Sequence, residues 1–397
     1  MLNRHLKPLL IEWRDITQGA YPDFVRQAKP GPLSGVLPIF SFHTVTPDGF
    51  EAELKFLKDN GYHTVIADEA VRFVKGELEL PEQSVMLSFD DGRLSVWAVI
   101  YPLLKKYGFR ATVFLTPDLV RPTEGLSPNL EDVWKGRAEL SDIAGCDQFA
   151  EPAISWQEAA EMEDSGVIDF QGHTLGHRRI PVGPKIVDFV HPGRIKHFFF
   201  RFQIPWMREG ENDPYRLSQW LGAPVYESAP FYHEGKLYLE DVSLRQVCVG
   251  YVQSNGGESF FDQPDWRKQL EDVVDSHAKE TNAWESESDQ KIRMARDLKA
   301  CKEKIESHLP GKKVTHLAYP WGGGCPASIE ASKETGYVSN FWSTIPGQPI
   351  NKPGDDATHL VRLKHDFIWR LPGKGRKSFL NTFGQKFLRR AMGRLDY

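Results

Sequence analysis

The sequence predicts an α/β fold with a parallel sheet, open or closed into a barrel, and three observations carry that reading. Short apolar strands alternate with helices of roughly 10–15 residues, the rhythm of parallel β-α-β units. Three of the strands run straight into turns rich in acidic residues, histidine, glycine or proline. One long interval, 178–288, breaks the rhythm and reads as an insertion over one end of the sheet.

The elements follow in order. After an N-terminal arm, 1–35, a strand is expected at Val36–Phe42, and a helix opens at Thr46-Pro47, a polar cap followed by proline in the first turn. Leu54 and Leu57 give that helix an apolar side before Asn60-Gly61 ends it. Next come a strand at Tyr62–Ile66, a helix from Asp68, and an apolar strand at Ser84–Phe89 leading into Asp90-Asp91-Gly92. A helix at Ser95–Tyr107 and a strand at Phe109–Leu115 complete the next unit. Ser155-Trp156-Gln157-Glu158 is a capping box for a helix ending near Gly166, and the strand Val167–Gln171 then reaches Gly172-His173. Beyond the insertion, a charged amphipathic helix at Asp289–Leu309 precedes a strand at Val314–Tyr319, a helix at Pro326–Thr335, and strands at Tyr337–Trp342 and His359–Leu363.

A chain of 397 residues with 40% hydrophobic content can bury a large core, and a formal net charge of -5 gives no sign of a nucleic-acid partner. The four cysteines are far apart and form no CxxC pair, so neither a disulfide framework nor a zinc finger is expected. The first ten residues carry charges and no unbroken apolar stretch, which argues against a signal peptide. No apolar run approaches the roughly 18 residues needed to span a bilayer. A cytoplasmic location is therefore the expectation.

The chemistry lies at three strand ends, where parallel α/β folds place their active sites. Two adjacent carboxylates in Ser88-Phe89-Asp90-Asp91-Gly92 repel each other unless a cation compensates, and the glycine lets their side chains diverge. In His173-Thr174-Leu175-Gly176-His177, imidazoles four residues apart fall on one side of a helical turn and can close on one ion. Leu317-Ala318-Tyr319-Pro320-Trp321-Gly322 breaks from strand into turn and exposes backbone N–H groups of the kind that form an oxyanion hole. Asp91, His173 and His177 then supply one oxygen and two nitrogens to a divalent ion, with Asp90 beside the water it would activate.

The combination resembles the polysaccharide deacetylase family, also called NodB-like or carbohydrate esterase family four. Phe89–Gly92 is similar to its Phe-Asp-Asp-Gly motif, His173–His177 to its His-Ser/Thr-x-x-His motif, and Pro320-Trp321-Gly322 to its Pro-aromatic-Gly motif, in the same order. Phe42-His43 and Ala318-Tyr319-Pro320 resemble the exopolysaccharide N-deacetylase branch. The resemblance covers 36–371 apart from the insertion. It implies a distorted (β/α) barrel of about seven strands, one divalent metal ion, usually zinc, and an N-acetylated saccharide as substrate. It also implies Asp90 as base, the Trp321 backbone N–H at the oxyanion, and His43, Tyr319, Pro320 and Trp321 at the substrate. The family's acid is usually a histidine in a late Leu-x-His segment; Leu363-Lys364-His365 is the nearest match, which makes His365 the candidate and His43 its competitor. Where the family often carries an arginine steadying the catalytic aspartate stands Ala318, so another cation or donor must serve, or Asp90 has a different pKa.

Two other readings share the scaffold: a cyclic amide or imide hydrolase, and a catalytically silent glycan-binding module. In the tail, 372–397, Phe379, Phe383 and Phe387 recur every fourth residue among Lys374, Arg376, Lys377, Lys386, Arg389, Arg390 and Arg394, with Arg370 just before. An apolar stripe with a basic face suits peripheral contact with the inner face of a membrane, and a terminal helix packed on the barrel is the competing view.

Overall fold

The computed structural model describes residues 2–205, 213–277 and 283–391. The chain divides into two compact units, one comprising Met1–Thr174, Cys301–Gly323 and Ser332–Tyr397, the other Leu175–Ala300 and Gly324–Ala331. The strands, in chain order, are β1 (Ile39–Phe42), β2 (His63–Val65), β3 (Ser84–Asp91), β4 (Ala111–Leu115), β5 (Ile168–Gly172), β6 (Arg179–Phe189), β7 (Pro224–Pro230), β8 (His316–Ala318), β9 (Ser339–Trp342), β10 (Leu360–Val361) and β11 (Leu363–Lys364).

Nine of these pair in the first unit in the order β10-β9-β8-β5-β4-β3-β1-β11, with β2 added against β3. Every one of these pairings is parallel. All eight residues of β3 are buried, which is why its sequence reads as an apolar run rather than an alternation. The single strand expected at His359–Leu363 is two strands broken at Arg362. Its first half pairs with β9 and its second half with β1, while the Arg362 N–H donates to the Trp342 carbonyl at 3.0 Å. One continuous segment thus touches both ends of the sheet and brings it nearly to closure as a barrel.

Local signals place several helices correctly. Pro47–Asp59 starts behind Thr46, and Trp156–Asp164 is capped by Ser155, whose Oγ accepts from the Glu158 N–H at 3.1 Å while Glu158 accepts from the Ser155 N–H at 2.8 Å. The helix expected at Ser95–Tyr107 is a π-helical turn, Val96–Ile100, followed by an α-helix, Tyr101–Tyr107. In the helix Glu287–His308 a stripe of Met294, Leu298, Cys301 and Ile305 is buried. All four cysteines are buried, and none is in a disulfide.

The chain's two end segments meet. The Trp13 ring of the helix Leu2–Thr17 packs at 5.9 Å on Phe379 and 5.4 Å on Phe383 of the helix Phe379–Ala391. Buried Glu12 pairs with Lys386 at 2.6 Å and with Lys364 at 3.0 Å. This corrects the expected solvated basic face. Lys386 is also paired with Asp366, Arg370 and Arg376 donate to backbone carbonyls between Phe24 and Ala28, and Lys377 lies over the Trp369 ring. The end of the tail, 392–397, with Arg394, lies outside the described residues.

The second unit runs past the expected interval 178–288 at both ends. It contains the antiparallel pair β6–β7, helices Val242–Ser254 and Trp266–His277, and a core of its own around Phe189, Val225, Cys248, Val252, Phe260 and Leu270. Among the described residues no helix is long and apolar enough to cross a membrane.

Candidate active site

Asp90 and Asp91 close β3, in register with Phe114 and Leu115 of β4. Asp91 takes a left-handed φ of 75° and Gly92 one of 85°, which turns the backbone sharply and separates the two carboxylates. Gly92 is required twice over: beyond its φ, a Cβ there would meet the Leu115 Cδ1 at 2.3 Å.

Each carboxylate is held by its own arginine. Asp91 Oδ2 accepts from Arg93 Nε at 3.1 Å and Nη2 at 3.0 Å, and Arg93 is braced by the Thr44 hydroxyl at 2.8 Å. Asp91 Oδ1 faces His173 Nε2 at 3.8 Å. The His173 Nδ1 lies 2.8 Å from the Ala318 carbonyl, so it carries the proton and its Nε2 lone pair is turned toward Asp91. Ligand atoms of Asp91, His173 and His177 all lie within 4.8 Å of one another, and all three residues are buried. Ligands sharing one zinc ion at about 2.0–2.2 Å stand roughly 3.4 Å apart. A carboxylate and two imidazoles at this spacing therefore suit a divalent ion after small movements. The histidines do not lie on a helical turn as expected. They sit in the loop after β5, with left-handed φ values at Thr174 (65°) and His177 (51°).

Asp90 Oδ1 receives Arg362 Nη1 at 2.6 Å, and both side chains are buried. Arg362 is the cation that the alanine at position 318 left wanting, delivered from the barrel seam rather than from the third motif. Burial alone would raise the Asp90 carboxyl, but the Arg362 charge and its hydrogen bond hold it below the usual carboxylate range. His43 places Nε2 3.8 Å from Asp90 Oδ2. Burial lowers its pKa to about 4 against the pull of Asp90 and Asp91, so His43 is neutral at pH 7.

The remaining expected residues divide. Trp321, with a φ of 54°, is 40% exposed beside a close approach of Gly322 to Ser343, so its ring can meet a ligand. Tyr319 and Pro320 are buried, and the Tyr319 ring packs 5.2 Å from that of Trp342. His365 opens the short helix His365–Arg370. Its Nδ1 faces Glu53 at 3.4 Å and its ring stacks on Phe42 at 4.7 Å. Burial opposes its charge, yet Asp366 and Glu53 raise its pKa. Sequence reasoning missed Arg93 and Arg362. The one available signal for Arg362 was a lone cation inside the apolar run Leu360–Leu363.

The nearly closed parallel barrel thus carries paired aspartates at one strand end and two histidines past another. Residues 77–197, which include the first two motifs, match the polysaccharide deacetylase family model. YxkH of Bacillus subtilis, provisionally described as a polysaccharide deacetylase, is 34% identical over 100 residues, 23% of this chain and 34% of that protein. The poly-beta-1,6-N-acetyl-D-glucosamine N-deacetylase of Staphylococcus epidermidis is 24% identical over 169 residues, 41% of this chain and 50% of that protein. The chain thus spans only a third to a half of these relatives' length. In fold it is similar to a de-N-acetylase from Aggregatibacter actinomycetemcomitans, with a TM-score of 0.51 at 19% identity over 87% of this chain and 99% of that one.

Proposed function

We propose that the protein is a metal-dependent deacetylase that removes N-acetyl groups from a glycan containing N-acetylglucosamine. The observation that carries the reading is the buried Asp91, His173 and His177 cluster with ligand atoms within 4.8 Å of one another, set beside Asp90. The names of the relatives supply the sugar. A divalent ion held by these three residues, zinc by the chemistry of the donor set, would supply Lewis acidity toward the acetamide carbonyl and a more acidic water.

The chain's own groups do the rest. Asp90, kept ionised by Arg362, takes the proton of the attacking water. The Trp321 backbone N–H supports the carbonyl oxygen as it gains charge, and the exposed Trp321 ring offers a face to the sugar. The departing nitrogen needs one proton. With His365 turned to Glu53, its source is the Asp90–His43 pair, so the water's proton passes to the amine as the C–N bond breaks, leaving acetate and a free amino sugar.

Acetate release from poly-β-1,6-N-acetylglucosamine oligomers by zinc-loaded protein tests this, with Asp90→Asn as control. Release that depends on Asp90 is expected. Ring opening of cyclic imides without acetate release, or glycan binding without turnover, overturns it. We propose in addition that the protein works on the cytoplasmic membrane face, where Leu380, Phe387 and Leu388 of the last helix, exposed at 79%, 45% and 58%, would enter the headgroup region.

A further inference from the structure

The loop that carries His177 has no regular hydrogen-bond ladder, and left-handed residues at Thr174 and His177 cost about 1–3 kcal/mol each. Something must hold such a loop in one conformation. Asp297, 5% exposed on the helix Glu287–His308, does so from within the same unit. Its Oδ2 accepts from the Leu175 N–H at 3.1 Å and from the Tyr232 hydroxyl at 2.6 Å, and its Oδ1 faces Arg178 Nη1 at 3.5 Å. Leu175 and Arg178 bracket Gly176 and His177, so a single carboxylate pins the loop on both sides of the imidazole. Phe202, from the aromatic run of the inserted segment, closes on the His177 ring at 4.9 Å.

We propose that Asp297 is a positioning residue that sets the protein's affinity for its divalent ion by fixing His177, with Tyr232 orienting the carboxylate. The proposal rests on His177 being a ligand, as in the reading above. A carboxylate that binds backbone and side chain on either side of a ligand limits its rotation and translation, and removing such support typically weakens metal binding about 10–100-fold.

The test is titration of chelator-stripped full-length protein with Co2+ alone, following the visible absorption of the bound ion and its affinity by competition with a chelator. Asp297→Asn is expected to lose about 10–100-fold in affinity and to lower the absorption per ion, with far-ultraviolet circular dichroism unchanged. Tyr232→Phe, which keeps the carboxylate and loses one hydrogen bond, is expected to lose a few-fold and serves if Asp297→Asn does not fold. His177→Ala separates the two layers. If it binds Co2+ as the unmodified protein does, the ligand assignment fails and this inference with it. If His177→Ala loses the site while Asp297→Asn and Tyr232→Phe bind normally, Asp297 has no positioning role and the ligand assignment stands.

Discussion

Replacing Arg362 by methionine removes one partner of a buried ion pair while leaving a side chain long enough to cover the Phe114 ring, over which the guanidinium now lies at 5.4 Å. The backbone N–H that bonds to Trp342 at the barrel seam is untouched. Asp90 would then keep its charge at 3% side-chain exposure with only a neutral His43 beside its second oxygen. Stranding a buried carboxylate in this way costs about 3–5 kcal/mol, which at roughly 2–4 °C per kcal/mol lowers the melting temperature by on the order of 6–20 °C. Asp90→Asn removes the stranded charge, so the Asp90→Asn/Arg362→Met double variant should recover a large part of that loss. Urea unfolding of the four proteins at pH 7 in the presence of chelator, followed by tryptophan fluorescence, yields the coupling energy directly. A coupling above about 1 kcal/mol is expected; one below about 0.5 kcal/mol, the level of additive sites, refutes the claim that Arg362 and Asp90 depend on each other.

His43→Gln is expected to lower deacetylation on the order of 100-fold or more, and His365→Gln to leave it within about tenfold, because only His43 reaches Asp90; steady-state acetate release decides between them. Burial lowers His316 to about 4, with Asp169 and Asp68 opposing, whereas the same residue in the unfolded chain titrates near 6.5. Since the depressed value belongs to the folded state, stability is complete above about pH 6.5 and falls toward pH 4 by about 3 kcal/mol. His316→Asn should flatten that limb in urea melts across the range, and a curve parallel to the unmodified protein's counts against the assignment. Flotation with anionic liposomes should fall at least severalfold in a Leu380→Ser/Phe387→Ser/Leu388→Ser variant, and equal flotation removes the last helix from membrane contact.

What could be read in the sequence was what is decided locally. The Ser155–Glu158 cap, the buried run of β3 and the residue types of the first two motifs depend on neighbours a few positions away, and each stands where it was expected. The barrel seam depends on partners more than 300 residues apart in sequence: Leu363 pairs with Phe40 and Lys364 with Ser41, so no local pattern marks Arg362 as the point where one strand changes partners. The same limit explains the tail. Arg370 and Arg376 read as a solvated basic surface, but their guanidinium groups satisfy carbonyls of the segment Phe24–Ala28. The His173–His177 spacing suggested a helical turn because four residues match one; β-branched Thr174 gives no sign of a left-handed backbone, and a histidine at 177 gives only a weak one.

That last misreading points to the feature that best separates function from folding in this chain. Among the described residues five non-glycine positions have positive φ, and four of them, Asp91, Thr174, His177 and Trp321, fall in the three motifs. At about 1–3 kcal/mol each, the strain would be relieved most simply by glycine or asparagine, which adopt this conformation readily. The structure instead braces the costly residues. Arg93 grips Asp91, Asp297 brackets His177, and Ser343 donates from its N–H at 2.8 Å and its Oγ at 3.1 Å to the Gly322 carbonyl next to Trp321. A chain shaped for stability alone has no reason to keep carboxylate, imidazole and indole at these positions and then add supports for them. Their retention argues that the side chains, rather than the turns, are what the site requires.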